Sequence, residues 1–166
     1  MEDLYVECLV ERKPKPSDPL IKGLAYGGTV VCFLLGFISI LFLIPFAVLL
    51  AVDLLLIPKM QVEYEYLYVS RSLQIDAIYS KQRRKKLVEY DLDKMEAFGA
   101  AGAWQLGEFK DLKTNDKDYS SGDSEAEKWI LIAHNGQDID RVCLEPNSAM
   151  IQAIKNIYPR KTFTNT

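Results

Sequence analysis

A cluster of basic side chains is the feature of this sequence with the strongest chemical character. The segment KQRRKK places Lys81, Arg83, Arg84, Lys85 and Lys86 within six positions. Close to a bilayer, each such charge contributes about 1 kcal/mol of attraction to anionic lipid headgroups. The cluster is therefore a candidate lipid-headgroup site. The alternative is a solvated loop whose charge only helps to keep its flank in the cytoplasm.

The basic cluster does not indicate nucleic-acid binding. Acidic residues follow it directly, at Glu89, Asp91, Asp93 and Glu96. The chain as a whole carries 20 basic and 23 acidic residues, a net charge of -3, whereas nucleic-acid-binding domains present a strongly basic surface. We therefore expect lipid or protein partners, and no nucleic acid.

Asp53 is the second candidate, because it is the only acidic side chain, and the only one charged at neutral pH in water, in the apolar stretch between Lys22 and Lys59. Acids within a membrane are costly and can mark an ion or proton pathway. The alternative is an acid near the headgroup level that is protonated or hydrogen-bonded to Thr29 or Tyr26. A two-helix hairpin has no room for a pore unless it oligomerises, which favours that alternative.

Other reactive residue types lack the neighbours that a catalytic or metal site needs. His134 is the only histidine, and no Cys or carboxylate follows it at metal-ligand spacing. Cys143 has no base placed beside it by sequence, and Cys8 and Cys32 form no metal-like pair with it. The acidic residues between positions 108 and 127 do not match a calcium loop. The sequence thus predicts no catalytic residue, no metal or cofactor site, and no enzymatic activity.

The apolar stretch from Leu24 to Ile57 predicts the element that places these residues. A bilayer core of about 30 Å takes roughly 20 helical residues, so the stretch is too long for one straight crossing and suits two. Basic residues flank both ends, and two crossings keep both flanks in the cytoplasm. The sequence predicts a transmembrane helical hairpin over residues 20–59 of a cell-membrane protein with both termini cytoplasmic.

The turn of this hairpin is expected between Gly36 and Pro45. Folding about residue 41 brings Asp53 level with Thr29. Small residues would let the two helices approach closely; they are Gly23, Gly27, Gly28, Ala47 and Ala51. A cleaved signal peptide is disfavoured because the run is long and begins late, and a buried soluble hairpin because neither half has a polar face.

Residues 60–166 alternate between apolar and polar side chains and predict short antiparallel strands. QVEYEYLYV and LQIDAIY are expected to pair across the turn SRS, and KWILIAH to pair with DIDRVCLE across Asn135-Gly136, a strong hairpin signal. LVEY, MEAFGA and a segment near residues 117–120 suggest three more strands. Tyr64, Tyr66, Tyr68 and Trp129 are expected in the core.

The two ends of the chain complete this domain. A C-terminal amphipathic helix is predicted over residues 146–158, with Pro146 in its first turn and Pro159 ending it. Residues 1–19 form an N-terminal arm whose LYVECLV alternates and could supply one more strand. The result is an α+β chain in which one helix covers an antiparallel sheet or barrel.

Six or seven antiparallel strands followed by a C-terminal helix is the order of a pleckstrin-homology (PH)-like barrel. Five segments are spread along nearly the whole chain: PKMQVEYEYLYV, SKQRRKK, SSGD, LEPN and YPRKTF. In these segments the chain also resembles a family of uncharacterised membrane proteins from Firmicutes, a domain of unknown function with an N-terminal transmembrane hairpin. The resemblance implies a bacterial origin and a topology, and it assigns no catalytic residue.

Together these features predict a membrane-anchored, non-enzymatic interaction module that presents a cytoplasmic PH-like domain to a protein or lipid partner. The alternative is a small accessory subunit of a transporter or channel, in which Asp53 lines a polar pathway. Replacement of Asp53 by Asn separates the two, because only the alternative expects lost transport in a folded, correctly located protein.

Overall fold

The computed structural model describes residues 5–164. The first four residues of the predicted N-terminal arm and the last two of the predicted C-terminal domain lie outside this range. The described chain is a mixed α+β structure with two β-sheets, one C-terminal helix and a pair of N-terminal helices.

The first sheet contains four antiparallel strands in sequence order. They are β1 (Val6–Glu11), β2 (Val62–Val69), β3 (Ser72–Tyr79) and β4 (Arg83–Asp91). Alternation puts Tyr64, Tyr66 and Tyr68 on the buried face of β2, as predicted. Ser70 and Arg71 form the β2–β3 turn with φ of 47° and 70°, the left-handed conformation that matches the twist of paired strands.

The second sheet has five strands in the order β6-β8-β7-β5-β9. They are β5 (Met95–Ala100), β6 (Asn115–Asp118), β7 (Trp129–Asn135), β8 (Asp138–Leu144) and β9 (Thr162–Phe163). The predicted hairpin of β7 and β8 is present, although Asn135 pairs with Asp138 and the turn itself is Gly136-Gln137.

Two features of the predicted barrel are wrong. Within the described residues the strands form two separate hydrogen-bonded sheets and no closed barrel. The second sheet is also not purely antiparallel, because β6 runs parallel to β8 and β9 runs parallel to β5. Parallel partners need long connections, and β9 reaches the edge of the sheet only after the C-terminal helix.

The C-terminal helix α3 spans Ser148–Ile157, shorter than the predicted 146–158. Asn147 is its N-cap and accepts a hydrogen bond from the Met150 N–H, so Pro146 lies before the helix rather than in its first turn. Met150 and Ile154 are buried in the core that the two sheets share, whereas Ile157 is exposed.

The N-terminal helices form an insertion in the connection between β1 and β2. Helix α1 spans Asp18–Gly36 and helix α2 spans Leu43–Leu55, with short 3-10 turns at Ile40–Phe42 and Ile57–Met60. Among the described residues, α1 alone is long and apolar enough to cross a membrane, and the apolar segment Ile40–Leu55 is shorter. The crossing of a membrane by this hairpin stays a prediction.

The contacts between α1 and α2 differ from those that small residues predicted. Gly28 faces Leu49, and Phe33 contacts Phe46 with ring centroids 5.4 Å apart. The positions of Gly23 and Gly27 are open, and Ala47 and Ala51 are exposed. Gly28 therefore meets the partner helix whereas Gly23 and Gly27 face open space, because spacing alone does not fix which face of a helix meets its neighbour.

Candidate functional site

The basic cluster lies where the first sheet meets the end of α2, and all of its members except Lys81 belong to strand β4. Ser80, Lys81 and Gln82 form the β3–β4 turn, in which Ser80 and Lys81 have φ of 49° and 58°. The Ser80 hydroxyl donates to the Pro58 carbonyl at 2.8 Å, and the Ser80 N–H donates to the Gln61 carbonyl at 2.9 Å. These two bonds hold the turn against the segment that follows α2.

Three members of the cluster form ion pairs with acidic side chains. Arg84 contacts Glu65 at 2.6 Å, Lys81 lies 3.3 Å from Glu11 and 3.4 Å from Glu63, and Lys86 pairs with Glu89. Arg83 and Lys85 make no ion pair within residues 5–164, and both are exposed. The structure thus separates one basic run into paired and unpaired charges, which the sequence did not distinguish.

Glu65 explains why Arg84 is committed to an internal partner. Glu65 is only 3% exposed. Its burial, and to a lesser extent a hydrogen bond with Glu7, raise the pKa of its carboxyl. Arg84 acts in the opposite direction and favours the charged form of Glu65. Withdrawing Arg84 would leave a nearly buried carboxylate without its cation, so this guanidinium is poorly suited to an external ligand.

A cleft of about 860 Å³ opens beside the unpaired charges. Leu54, Leu55 and Pro58, from the end of α2 and the segment after it, form an apolar wall. The other lining residues come from the end of β3, the turn and the start of β4, and they are Tyr79, Ser80, Gln82, Arg83, Arg84 and Lys85. The sequence indicated the basic residues of this cleft but not the apolar ones, because Pro58 and Tyr79 are more than 20 residues apart along the chain.

Asp53 lies at the interface between the two helices. The Thr29 hydroxyl donates to Asp53 Oδ2 at 2.6 Å, and both residues are less than 10% exposed. The predicted partner Thr29 and the predicted register are therefore confirmed, whereas Tyr26 is half exposed. Asp53 Oδ1 has no hydrogen-bond partner among the described residues. Asp53 thus joins α1 to α2, and a role for it in a pathway stays a prediction.

The other reactive side chains include His134, Cys8 and Cys143. His134 on β7 contacts the Glu96 carboxylate on the neighbouring strand β5 at 2.9 Å, although the two residues are far apart in sequence. Burial raises the pKa of the Cys8 and Cys143 thiols, which disfavours the nucleophilic thiolate. Within residues 5–164, no three His, Cys, Asp or Glu side chains are arranged to hold a metal ion.

A polar cluster around the buried Asp140 connects the two sheets and was not predicted. Asp140 Oδ2 accepts hydrogen bonds from Tyr90 at 2.7 Å, Lys117 at 2.7 Å and Asn135 at 3.0 Å. Burial raises the pKa of Asp140, but these three donors outweigh burial and hold it below its ordinary value. Burial and the hydrogen bond to Asp140 raise the pKa of Tyr90. The cluster fixes β4 against β6, β7 and β8.

Comparison with protein families agrees with the fold. A family model described as Bacterial PH-like domain (DUF6106) matches residues 2–164, which includes the inserted helices. No curated protein and no solved structure matches the chain significantly. The match confirms the resemblance to bacterial PH-like domains of unknown function, and the Firmicutes origin stays an expectation. The chain belongs to the bacterial PH-like domain family DUF6106.

Proposed function

We propose that this protein is a non-enzymatic interaction module anchored in the cell membrane, with its PH-like domain at the cytoplasmic surface. The observation that carries the proposal is the distribution of exposed apolar side chains. Most of the large ones in the described chain lie on the helical insertion, between Leu20 and Leu56. Soluble monomers rarely expose apolar patches beyond a few hundred Å², and a bilayer would cover this surface.

The dimensions of the insertion suit two crossings. Helix α1 has 19 residues, which corresponds to about 28 Å and nearly matches the hydrocarbon core. The second arm, Ile40–Leu55, is shorter, and local thinning of the bilayer accommodates such a mismatch at modest cost. Lys13, Lys15 and Lys22 precede or begin the first arm, and the basic cluster follows the second. Two crossings keep both basic flanks in the cytoplasm.

A binding role rather than catalysis fits the domain. PH-like domains are generally non-catalytic. In this chain the thiols of Cys8 and Cys143 are disfavoured as nucleophiles, and His134 is paired with Glu96. Anchoring confines the domain to the membrane surface, so even weak contacts with a protein or lipid partner become effective there.

The topology can be tested with two cysteine variants of the full chain. We expect Ser39→Cys, at the turn between the helices, to react with a membrane-impermeant maleimide added to intact cells. We expect Ser124→Cys, in the loop before β7, to react only after lysis. Both serines are exposed and lie outside helices and strands, so accessibility to the reagent, rather than burial, decides the result.

Both variants belong in a background in which Cys8, Cys32 and Cys143 are replaced by alanine or serine. Labelling of both positions from outside, or of neither, would contradict two crossings with a cytoplasmic domain. Release of the whole protein from membranes by alkaline carbonate would contradict the anchor itself.

The transporter-subunit alternative is supported by the buried Asp53 carboxyl, whose Oδ1 lacks a partner in the described residues. Asp53→Asn preserves an oxygen that accepts the Thr29 hydrogen bond, so we expect normal folding and membrane location. We further expect wild-type and variant protein to give the same ion and proton flux in liposomes. A flux that the wild type supports and the variant loses would favour the alternative, with Thr29→Ser as a control that retains the hydroxyl.

A further inference from the structure

We propose that the cleft beside α2 binds the headgroup of a single anionic phospholipid, with its phosphate between Arg83 and Lys85. This inference rests on the proposed membrane anchor and deepens it, because it names a ligand class and two of the residues that select it. The cleft residues that carry it are the unpaired cations Arg83 and Lys85 and the apolar side chains Leu54 and Leu55.

The two cations are placed to act on one ligand. In β4, Arg83 pairs with Tyr79 and Lys85 with Ala77, so the residues are two positions apart and share one face of the strand. Arg84, between them, points to the other face, where Glu65 holds it. A guanidinium can donate two parallel hydrogen bonds to a phosphate, and an ammonium adds a compact charge. The pair therefore suits a phosphodiester.

The apolar wall favours a lipid over a soluble phosphate. Leu54 and Leu55 are 67% and 62% exposed at the end of α2. Their surface continues along the helix that we propose to lie in the bilayer. Acyl chains packed on this surface would bring the attached phosphate to the membrane boundary, which is where α2 ends and β4 begins. A cleft of about 860 Å³ is large for inorganic phosphate but lies within the range of organic-ligand sites.

Local charge selects an anion. Within the described chain, four acids near the basic cluster on the outer sheet face are paired with other cations: Glu65 with Arg84, Glu11 and Glu63 with Lys81, and Glu89 with Lys86. Asp76, opposite Lys86 on the same face, is buried and accepts a hydrogen bond from Gln74, so it faces away from the side of β4 that carries Arg83 and Lys85. Arg83 and Lys85 are thus left without internal compensation beside an apolar surface. A zwitterionic headgroup would leave its own ammonium against these cations, so we expect discrimination against phosphatidylcholine.

The test is lipid binding to the full-length protein in neutral detergent, measured by native mass spectrometry. We expect phosphatidylglycerol to bind at least about tenfold more tightly than phosphatidylcholine, and glycerol phosphate to bind negligibly. With about 1 kcal/mol for each charge, the double variant Arg83→Gln/Lys85→Gln should weaken phosphatidylglycerol binding about 30-fold. The control Lys81→Gln/Lys86→Gln removes the same charge from residues outside the cleft, and we expect less than a threefold change.

Each other outcome overturns the site as proposed. Equal losses in the two double variants would indicate general electrostatic attraction, and equal binding of both lipids would remove the selectivity. Tight binding of glycerol phosphate would identify a soluble phosphate as the ligand. All four substituted side chains lie on exposed parts of the turn and strand, and circular dichroism checks that each variant is folded.

Failure of this site and failure of the anchor are distinguishable. If the anchor is correct and the cleft binds no lipid, the protein still resists carbonate extraction while both double variants bind lipid as the wild type does. If the anchor is wrong, wild-type protein leaves the membrane in carbonate whatever its lipid selectivity in detergent.

Discussion

Replacing Asp140 by alanine should lower the free energy of unfolding of the PH-like domain by about 3 kcal/mol. Asp140 is only 1% exposed, and its Oδ2 accepts hydrogen bonds from Tyr90, Lys117 and Asn135. The variant leaves the Tyr90 hydroxyl buried without an acceptor. Lys117 can turn toward water, because its side chain is 30% exposed, so most of the loss comes from Tyr90 and the cavity.

Chemical denaturation of the full-length protein in neutral detergent, followed by near-ultraviolet circular dichroism, measures this effect. Asp138→Ala is the matched control, since Asp138 is an exposed acid on the same strand, and we expect a change below about 0.5 kcal/mol. Tyr90→Phe should lower the free energy of unfolding less in the Asp140→Ala variant than in the wild type. In that variant the substitution removes a hydroxyl that has already lost its acceptor. Strict additivity would contradict the proposed coupling.

The Asp140 effect should depend on pH in a defined direction. The folded state holds the pKa of this carboxyl below its ordinary value of 3.8. A lowered pKa means that the stabilisation is present above that ordinary value and is lost as the pH falls through the folded-state pKa. The difference in stability between wild type and Asp140→Ala should therefore be constant near neutrality and shrink below about pH 4. A difference that grew in acid would contradict the assignment.

The features predicted from sequence are those that depend on neighbours along the chain. The two-residue period placed Tyr64, Tyr66 and Tyr68 in the core, and Asn135-Gly136 marked the β7–β8 hairpin. The fold about residue 41 placed Thr29 beside Asp53, because the apolar stretch has a single turn region. In each case the sequence pattern behind the prediction lies within a few residues, or within the single apolar stretch that folds about its middle.

The features that were missed depend on contacts between distant segments. β9 is only two residues long and has no pattern of its own, and it forms because α3 returns the chain to the edge of β5. Glu96 meets His134 across two strands, and Asp140 meets Tyr90 across two sheets. Within residues 5–164, Arg83 and Lys85 are the members of the basic cluster without an ion pair, and this pattern likewise depends on the register of β2 against β3 and β4.

Excising the helical insertion should convert the protein into a soluble domain that keeps its fold. The insertion interrupts a β-hairpin: Glu11 pairs with Glu63, and the Arg12 N–H donates to the Val62 carbonyl at 3.1 Å. Deleting residues 13–61 and joining Arg12 to Val62 through Asn-Gly restores the two-residue connection that suits antiparallel strands. We expect the product in the soluble fraction, and the full chain in the membrane fraction.

The expected fold retention follows from where the core side chains lie. Tyr66, Leu73, Phe98 and Met150 are fully buried without any contribution from the insertion. Closing a shorter loop also reduces the entropy lost on folding. The excised domain should therefore unfold cooperatively, and size-exclusion chromatography with circular dichroism measures this. Truncation of residues 1–61 is the informative comparison, because it also deletes β1, which pairs along β2 and contributes Cys8 and Val10 to the core.

The two deletions separate the role of the helices from that of the strand. If the insertion is an anchor and nothing more, the excised domain is monomeric and folded, whereas the truncated one exposes the edge of β2 and associates or aggregates. Aggregation of both would show that the helices also stabilise the sheets, through the Ser80–Pro58 contact at the base of α2. A full-length chain that stayed soluble beside its excised form would mean that another protein surface, and not lipid, covers Leu20 to Leu56.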